Sequence, residues 1–273
     1  MRSEHSADPG PRYTHGHHQS VLRSHRWRTA ENSAAYLLPH LSAGQTLLDA
    51  GCGPGTITLD LARRVAPGPV VGMDRSTDAI EAAGSLDDEG LAVTFRTGDL
   101  YAMEFEDASF DVVHAHQVLQ HLYDPVAALG EMARVCRSDG VIAVRDGDYE
   151  SMTWHPAVPE LDRWLELYRR TARANGGDPD AGRRLVSWAR ASGCADIVAT
   201  ASAWCFAAPE DRRWWAETWA NRITVTALAE RILELGLADR DELDGIGRAW
   251  LWWADQPDGW FSITHGEVLC RPG

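Results

Sequence analysis

Residues 47–55 read Leu47-Leu48-Asp49-Ala50-Gly51-Cys52-Gly53-Pro54-Gly55, a carboxylate followed by three glycines at alternate positions. The apolar run before Asp49 predicts a buried strand over residues 46–48, and an amphipathic helix follows from about Thr56. Glycine at 51, 53 and 55 leaves the backbone bare where it turns sharply and where a ligand can approach its N–H groups. At the carboxyl end of a strand in an open α/β sheet, such a turn receives a nucleotide-type ligand. A dinucleotide fingerprint requires glycine at position 56, and Thr56 stands there. Asp49 argues the same way, because a carboxylate beside the loop repels a pyrophosphate. It suits a ligand that brings an ammonium or a sulfonium.

Three more polar stations fall at the ends of apolar runs. Val70-Val71-Gly72-Met73 ends in Asp74, nineteen residues after Gly55. An acid about 20 residues beyond a glycine turn accepts from ribose hydroxyls. Val93 to Thr97 leads into Gly98-Asp99-Leu100, and Phe110 to Ala115 leads into His116-Gln117. One acid at a strand end is commonly a turn former or a helix cap. Four stations in register mark one site. Together they resemble the cofactor motifs of the class I S-adenosylmethionine-dependent methyltransferases. The resemblance implies S-adenosylmethionine as cofactor, held by Arg28, Asp49, Gly51, Gly53, Asp74, Arg75, Asp99, Leu100 and His116. In it Asp99 faces the adenine amine, and His116-Gln117 sits over the reacting methyl.

The segment HHQSVLRSHRWRTAENSAAYLLPHL, residues 17–41, is similar to the leader of actinobacterial small-molecule methyltransferases related to the menaquinone and ubiquinone C-methyltransferases. That likeness implies a helical lid over the cofactor at 13–42, with Tyr13 and His18 near the methyl and Arg28 on the cofactor carboxylate. Read plainly, His5 and His15 belong to a solvated tail, and residues 1–12 are expected to be disordered. His15, His17 and His18 lack a carboxylate or cysteine partner for a metal site.

The alternation of strands and helices from 46 to 146 predicts a doubly wound, Rossmann-like parallel sheet, with Val141–Asp146 as fifth strand. Beyond it, residues 150–193 read mainly helical, 196–206 as strand, 210–255 as helix and 260–270 as a final strand. The family resemblance makes this a seven-stranded sheet whose last strand is antiparallel. The core is then expected at 43–149, 181–208 and 258–273, with helical caps at 150–180 and 209–257 over the substrate. The formal charge of −14 argues against a nucleic-acid surface. No apolar run reaches the ~18 residues of a spanning helix. Five scattered cysteines and a start without an apolar signal core suit a reduced, cytoplasmic protein. A homodimer stays open.

Eleven of the twelve tryptophans lie beyond residue 150. Most of them, such as Trp215/Trp219 and Trp250/Trp253 at helical spacing, suit packing of cap helices. Others can wall a slot for a planar molecule or face a sulfonium. Tyr13, Gln117, Asp148, Trp204 and Trp219 are the candidate acceptor-binding residues. Methyl transfer from a sulfonium is an in-line displacement, where alignment supplies about 7–11 kcal/mol of the barrier. A base near the working pH adds to it. Tyr13, His18, His25, His116 and Gln117 are the catalytic candidates, with His121 a further base. Asp146 and Asp148 lack a third ligand for a metal, so none is expected. The acceptor read from this is a small aromatic natural product, methylated on a ring carbon of an indole or a quinol. O- or N-methylation is the alternative chemistry. A nicotinamide-dependent oxidoreductase and a non-catalytic cofactor-binding protein are the alternatives from other classes.

Overall fold

The structure is a computed structural model that describes residues 27–273. Tyr13, His18 and His25, the expected tail at 1–12 and the lid up to residue 26 lie outside the described residues. The described part opens on helix α1 (Ala30–Ser33), capped by the Thr29 hydroxyl. A 3-10 turn follows at Leu38–His40. Within 27–41 these short pieces stand in the stretch expected to belong to a helical lid. Ala30, Ala34 and Leu37 nevertheless bury their side chains fully.

Strand β1 (Leu47–Ala50) is buried along its length and leads through the glycine turn into α2 (Thr56–Val65). Next come β2 (Val70–Asp74), α3 (Thr77–Gly84), β3 (Val93–Thr97) and β4 (Phe110–His116). A 3-10 turn at Leu119–His121 and α4 (Pro125–Val135) connect to β5 (Cys136–His155). The chain continues through α5 (Pro159–Ala174), α6 (Leu185–Ala191), β6 (Ala195–Phe206), α7 (Pro209–Val225), α8 (Ala227–Glu234), α9 (Arg240–Ala254) and β7 (Trp260–Arg271). The seven strands form one sheet in the order β3-β2-β1-β4-β5-β7-β6. β1 to β5 are parallel, and β7 runs antiparallel between β5 and β6.

β5 corrects one expectation. It runs to His155, so residues 150–155, read as helix, pair with the start of β7 through Thr153↔Ser262 and His155↔Trp260. Thr153 and Trp154 are good strand formers once a partner strand is beside them, and that partner lies more than a hundred residues away. The long ends of β5, β6 and β7 stay paired with one another and extend past the parallel strands. There they join α5, α7, α8 and α9 in one apolar cluster that contains Trp164, Trp219, Trp250 and Trp253, all fully buried. Trp219, expected at the acceptor, is thus a core residue. Its ring meets Trp164 edge-on at 4.5 Å and lies parallel to Trp250 at 6.4 Å.

A polar row crosses the sheet from β4 to β6. His116 stands beside Arg145 on the next strand, Arg145 beside Glu267, and Glu267 beside Thr200. Arg145 is 1% exposed, and its Nε lies 3.2 Å from Glu267 Oε1. The hydroxyls of Ser202 and Thr200 donate to the two oxygens of Glu267 at 2.5 and 2.8 Å. Burial still lowers the Arg145 guanidinium to about 10. Burial, then Arg145 and Arg28, hold His116 and His265 well below the ordinary histidine range. Asp146, buried on the same strand, is raised to about 7 by loss of water.

Two predictions follow from this packing. Trp219→Ala removes a full indole from the cap core and should cost about 3–5 kcal/mol, read from urea unfolding. A variant of unchanged stability would show that the ring does not belong to the core. The second prediction concerns pH. Near pH 5 the unfolded chain protonates His116 and His265 while the folded chain leaves them neutral. Stability therefore falls as pH drops below about 6.5. Asp146 works the other way, since the folded chain keeps a proton that the unfolded chain has lost. His121, which burial lowers to about 3, adds to the two histidines, so two net protons remain and stability should fall by about 2.7 kcal/mol per pH unit from these four groups. Stability that rises between pH 6.5 and 5 would contradict it.

Candidate functional site

The glycine turn after β1 builds one end of a cleft. Gly51, Gly53 and Gly55 all have positive φ, at 80°, 54° and 82°. A Cβ on Gly51 would come within 2.4 Å of Val118, so glycine is needed there for space as well as for conformation. The Gly51 and Cys52 N–H groups donate to the Met73 carbonyl at 2.7 and 2.9 Å, which ties the turn to the end of β2. Gly53 N–H donates to Asp74 Oδ2 at 3.0 Å, and Ser76 N–H donates to Asp74 Oδ1 at 2.9 Å. Asp74 is thereby aimed at the turn, half-buried, with lone pairs left over for a ligand.

Asp49 sits deeper, 3% exposed. Its Oδ2 accepts the Thr58 hydroxyl at 2.6 Å, and its Oδ1 lies 2.8 Å from His114 Nδ1. It is a fixed negative charge at the foot of the loop. Thr56, where a dinucleotide site needs glycine, donates its hydroxyl to the Arg28 carbonyl at 2.9 Å. That bond fastens the amino-terminal segment to the start of α2.

All nine residues expected around the cofactor, Arg28, Asp49, Gly51, Gly53, Asp74, Arg75, Asp99, Leu100 and His116, line one cavity of about 160 Å³. Gln117, His121 and Tyr101 line it too. The cavity supplies carboxylates for hydroxyl and amine donors, bare backbone at a helix start, and a guanidinium for a carboxylate. That set fits S-adenosylmethionine. His116 is 6% exposed, and neither ring nitrogen has a hydrogen-bond partner among the described residues. Unpaired buried polar atoms at a cleft wall are places where a ligand completes the bonding.

Gln117 leaves β4 with φ of 53°, an unusual value for a residue with a side chain. Its backbone N–H still donates to the Arg145 carbonyl at 2.7 Å, and its amide nitrogen lies 2.8 Å from His265 Nε2. Held at both ends, Gln117 separates the cofactor cleft from a smaller recess. Trp27, Tyr149, Trp204, Trp214 and Trp215 line that recess together with Arg28, Arg222 and Ile263. In this conformation it encloses only about 10 Å³, because the rings rest on one another. Trp27 stacks on Trp214 at 5.2 Å and meets Trp204 edge-on at 5.2 Å.

Of the residues expected at the acceptor, Gln117 and Trp204 face this recess. Asp148 does not. Both its oxygens take the Arg183 guanidinium, at 2.7 and 2.8 Å, and it lines neither cavity. Asp146 is turned to the Gln120 N–H instead. Among the described residues, no three His, Cys, Asp or Glu side chains are grouped as metal ligands. Tyr149, Trp27, Trp214 and Arg222 line the recess without having been singled out for it in the sequence, and His265 and Arg145, which line neither cavity, hold Gln117. A charge at 145 inside an apolar strand was the one visible signal among them.

The methyltransferase-domain family matches residues 41–198, more than half of the chain. An uncharacterised methyltransferase of Schizosaccharomyces pombe is 33% identical over 269 residues, covering 95% of this chain and 96% of that one. A demethylmenaquinone methyltransferase of Roseiflexus castenholzii is 34% identical over 169 residues, 60% of this chain and 66% of the relative. The Bacillus subtilis protein YcgJ superposes with a TM-score of 0.59 at 19% identity, over 89% of this chain and 99% of its own. The glycine turn, the strand-end acids and the sheet order agree with these matches: the chain belongs to the class I S-adenosylmethionine-dependent methyltransferases.

Proposed function

We propose that this enzyme methylates a ring carbon of a small, electron-rich aromatic molecule, an indole or a quinol, without a metal. The observation that carries this reading is the ring-walled recess that shares Gln117 and Arg28 with the cofactor cleft. A planar acceptor that parts the rings and stacks among them would place its edge at His116 and Gln117. Stacking contributes about 0.5–1.5 kcal/mol per ring pair beyond burial. The demethylmenaquinone methyltransferase relative supports a quinol-like acceptor. Asp148 is already committed to Arg183, so the two acids of β5 offer no ligand pair.

S-adenosylmethionine supplies, when bound, an electrophilic methyl group on a sulfonium. The chain's own residues bind and align. Asp74 would accept from the ribose hydroxyls, Asp99 from the adenine amine, and Arg28 would receive the carboxylate. Asp49 sets a negative potential at the loop. His116 stays neutral across the working pH range, so its free lone pair accepts the N–H or O–H hydrogen of the acceptor. Gln117, braced by His265, fixes the angle of the ring. Orientation then accounts for most of the rate. Tyr13, His18 and His25 remain proposed contributors from the segment outside the described residues.

Asp74→Asn keeps the shape of the side chain but weakens it as an acceptor. It should cost about 2–4 kcal/mol of S-adenosylmethionine affinity by calorimetry, with the fold intact. An unchanged dissociation constant would remove Asp74 from the site. Gln117→Ala should lower kcat while cofactor affinity stays within a few-fold. Loss of cofactor binding with normal turnover at saturation would make it a cofactor residue only. With labelled S-adenosylmethionine and an indole or quinol acceptor, the label should appear on ring carbon. Label confined to oxygen or nitrogen would replace the carbon acceptor with the alternative chemistry.

A further inference from the structure

Gln117, Val118, His121 and Leu122 all line the cofactor cleft. Between them, Leu119 and Gln120 are buried and lie outside its lining. This stretch contains the 3-10 turn Leu119–His121, which has no side-chain cap from its own segment. The first N–H groups of such a turn need an acceptor from elsewhere. Asp146, within β5, supplies it. Its Oδ1 accepts the Gln120 N–H at 3.2 Å, and the Leu119 N–H also favours charge on this carboxyl.

Other bonds make the turn one rigid piece. The His121 N–H donates to the Val118 carbonyl at 2.9 Å, and the Asp178 N–H donates to the Gln120 carbonyl at 2.9 Å. The side-chain amide of Gln120 lies 3.1 Å from His121 Nε2. Val118 stands against the glycine turn, where a Cβ on Gly51 would collide with it. A shift at Leu119 or Gln120 therefore moves the cleft wall and presses on the loop that receives the cofactor. Asp146 is fully buried, and its Oδ2 has no hydrogen-bond partner among the described residues. It lines neither cavity, so it acts on the site only through the turn it holds.

We infer that Asp146 is a positioning residue for the cofactor site: its carboxyl group caps the Leu119–His121 turn from β5 and so sets where Val118, His121 and Leu122 stand. This rests on the cleft being the S-adenosylmethionine site and is independent of the acceptor. A carboxylate accepts N–H bonds more strongly than a neutral carboxylic acid does. Burial raises Asp146 to about 7, against the pull of the two N–H groups and then of Arg145 and Arg28. The grip on the turn therefore tightens as pH rises through about 7. Burial lowers His121 on the turn to about 3 and holds His116 on β4 well below the ordinary range. Burial also raises the Tyr36 and Tyr149 phenols. On β7 the facing residue is Gly266, and Glu267 next to it is paired with Arg145. Gly182, just before α6, packs on the Asp146 carbonyl, and Arg183 beside it is paired with Asp148.

The test is calorimetry of S-adenosylhomocysteine binding to the full-length enzyme between about pH 6 and 8.5. The unaltered enzyme should bind about 5- to 20-fold tighter at the upper end, the size of one helix-cap interaction, with its midpoint near 7. Asp146→Asn keeps the shape and one acceptor oxygen but cannot ionise. Its curve should be flat, within a few-fold of the unaltered enzyme at pH 6 and weaker than it at pH 8.5. Asp146→Ala should be weaker than both across the range. Titration of the ligand itself enters all three curves and cancels in their ratios. A purely structural aspartate would change the melting temperature of the variants without separating these curves. An Asp146→Asn curve that follows the unaltered enzyme would overturn the proposal, and so would a folded Asp146→Ala variant that binds like it. If Asp146→Ala fails to fold, the Asp146→Asn curve decides alone. An unaltered enzyme that binds no S-adenosylhomocysteine would overturn the cofactor cleft, and the proposal with it.

Discussion

Arg145 lies in the centre of the sheet with almost no access to water, and the arrangement around it follows from the need to hold that charge. An isolated guanidinium there would be costly. The sheet answers with Glu267 on the neighbouring antiparallel strand, and Ser202 and Thr200 on the next strand bond to that carboxylate. The guanidinium also lies 5.1 Å from the centre of Trp204, which in turn donates its indole N–H to the Asn32 carbonyl at 2.6 Å. One buried charge thereby fixes three strands, the aromatic wall and the first helix of the described chain. Burial first, and then this charge on the adjacent strand, hold His116 well below the ordinary histidine range.

The cofactor cleft and the recess differ in how they are built. The cleft is made at the carboxyl ends of parallel strands, where backbone geometry alone brings the glycine turn, Asp74, Asp99 and His116 together. The recess is made where β5, β6 and β7 extend past the parallel strands and carry side chains into the cap. Its shape therefore depends on ring packing, and in this conformation the rings close it. Gln117 belongs to both. Its left-handed backbone turns the chain away from β4, and His265, from a strand almost 150 residues later, holds its side chain. Strained backbone of this sort persists only where surrounding contacts hold it.

Family membership sets aside the nicotinamide-dependent alternative, as Thr56 and Asp49 had already indicated. Thr56 has a structural use in this chain, bonding the backbone at Arg28. The five cysteines are free thiols in the structure, four of them buried. No helix of the described residues is long and apolar enough to cross a membrane.

The cofactor half of the molecule is legible in its residues and their spacing. Asp49, the three glycines, Asp74 and Asp99 are separated by fixed numbers of residues, and a strand–turn–helix unit of that length has one way to place them. Local rules suffice there, because each station is set by the element just before it. The acceptor side depends instead on contacts between distant elements. Residues 150–155 became strand because β7 supplied a partner, and Trp219 became core because Trp164 and Trp250 closed around it. Asp148 was taken by Arg183, and His265 reached Gln117 across the sheet. Each of these outcomes is a contact between elements remote in the chain. Composition and periodicity fix which face of an element is apolar, but not which distant side chain arrives to meet it.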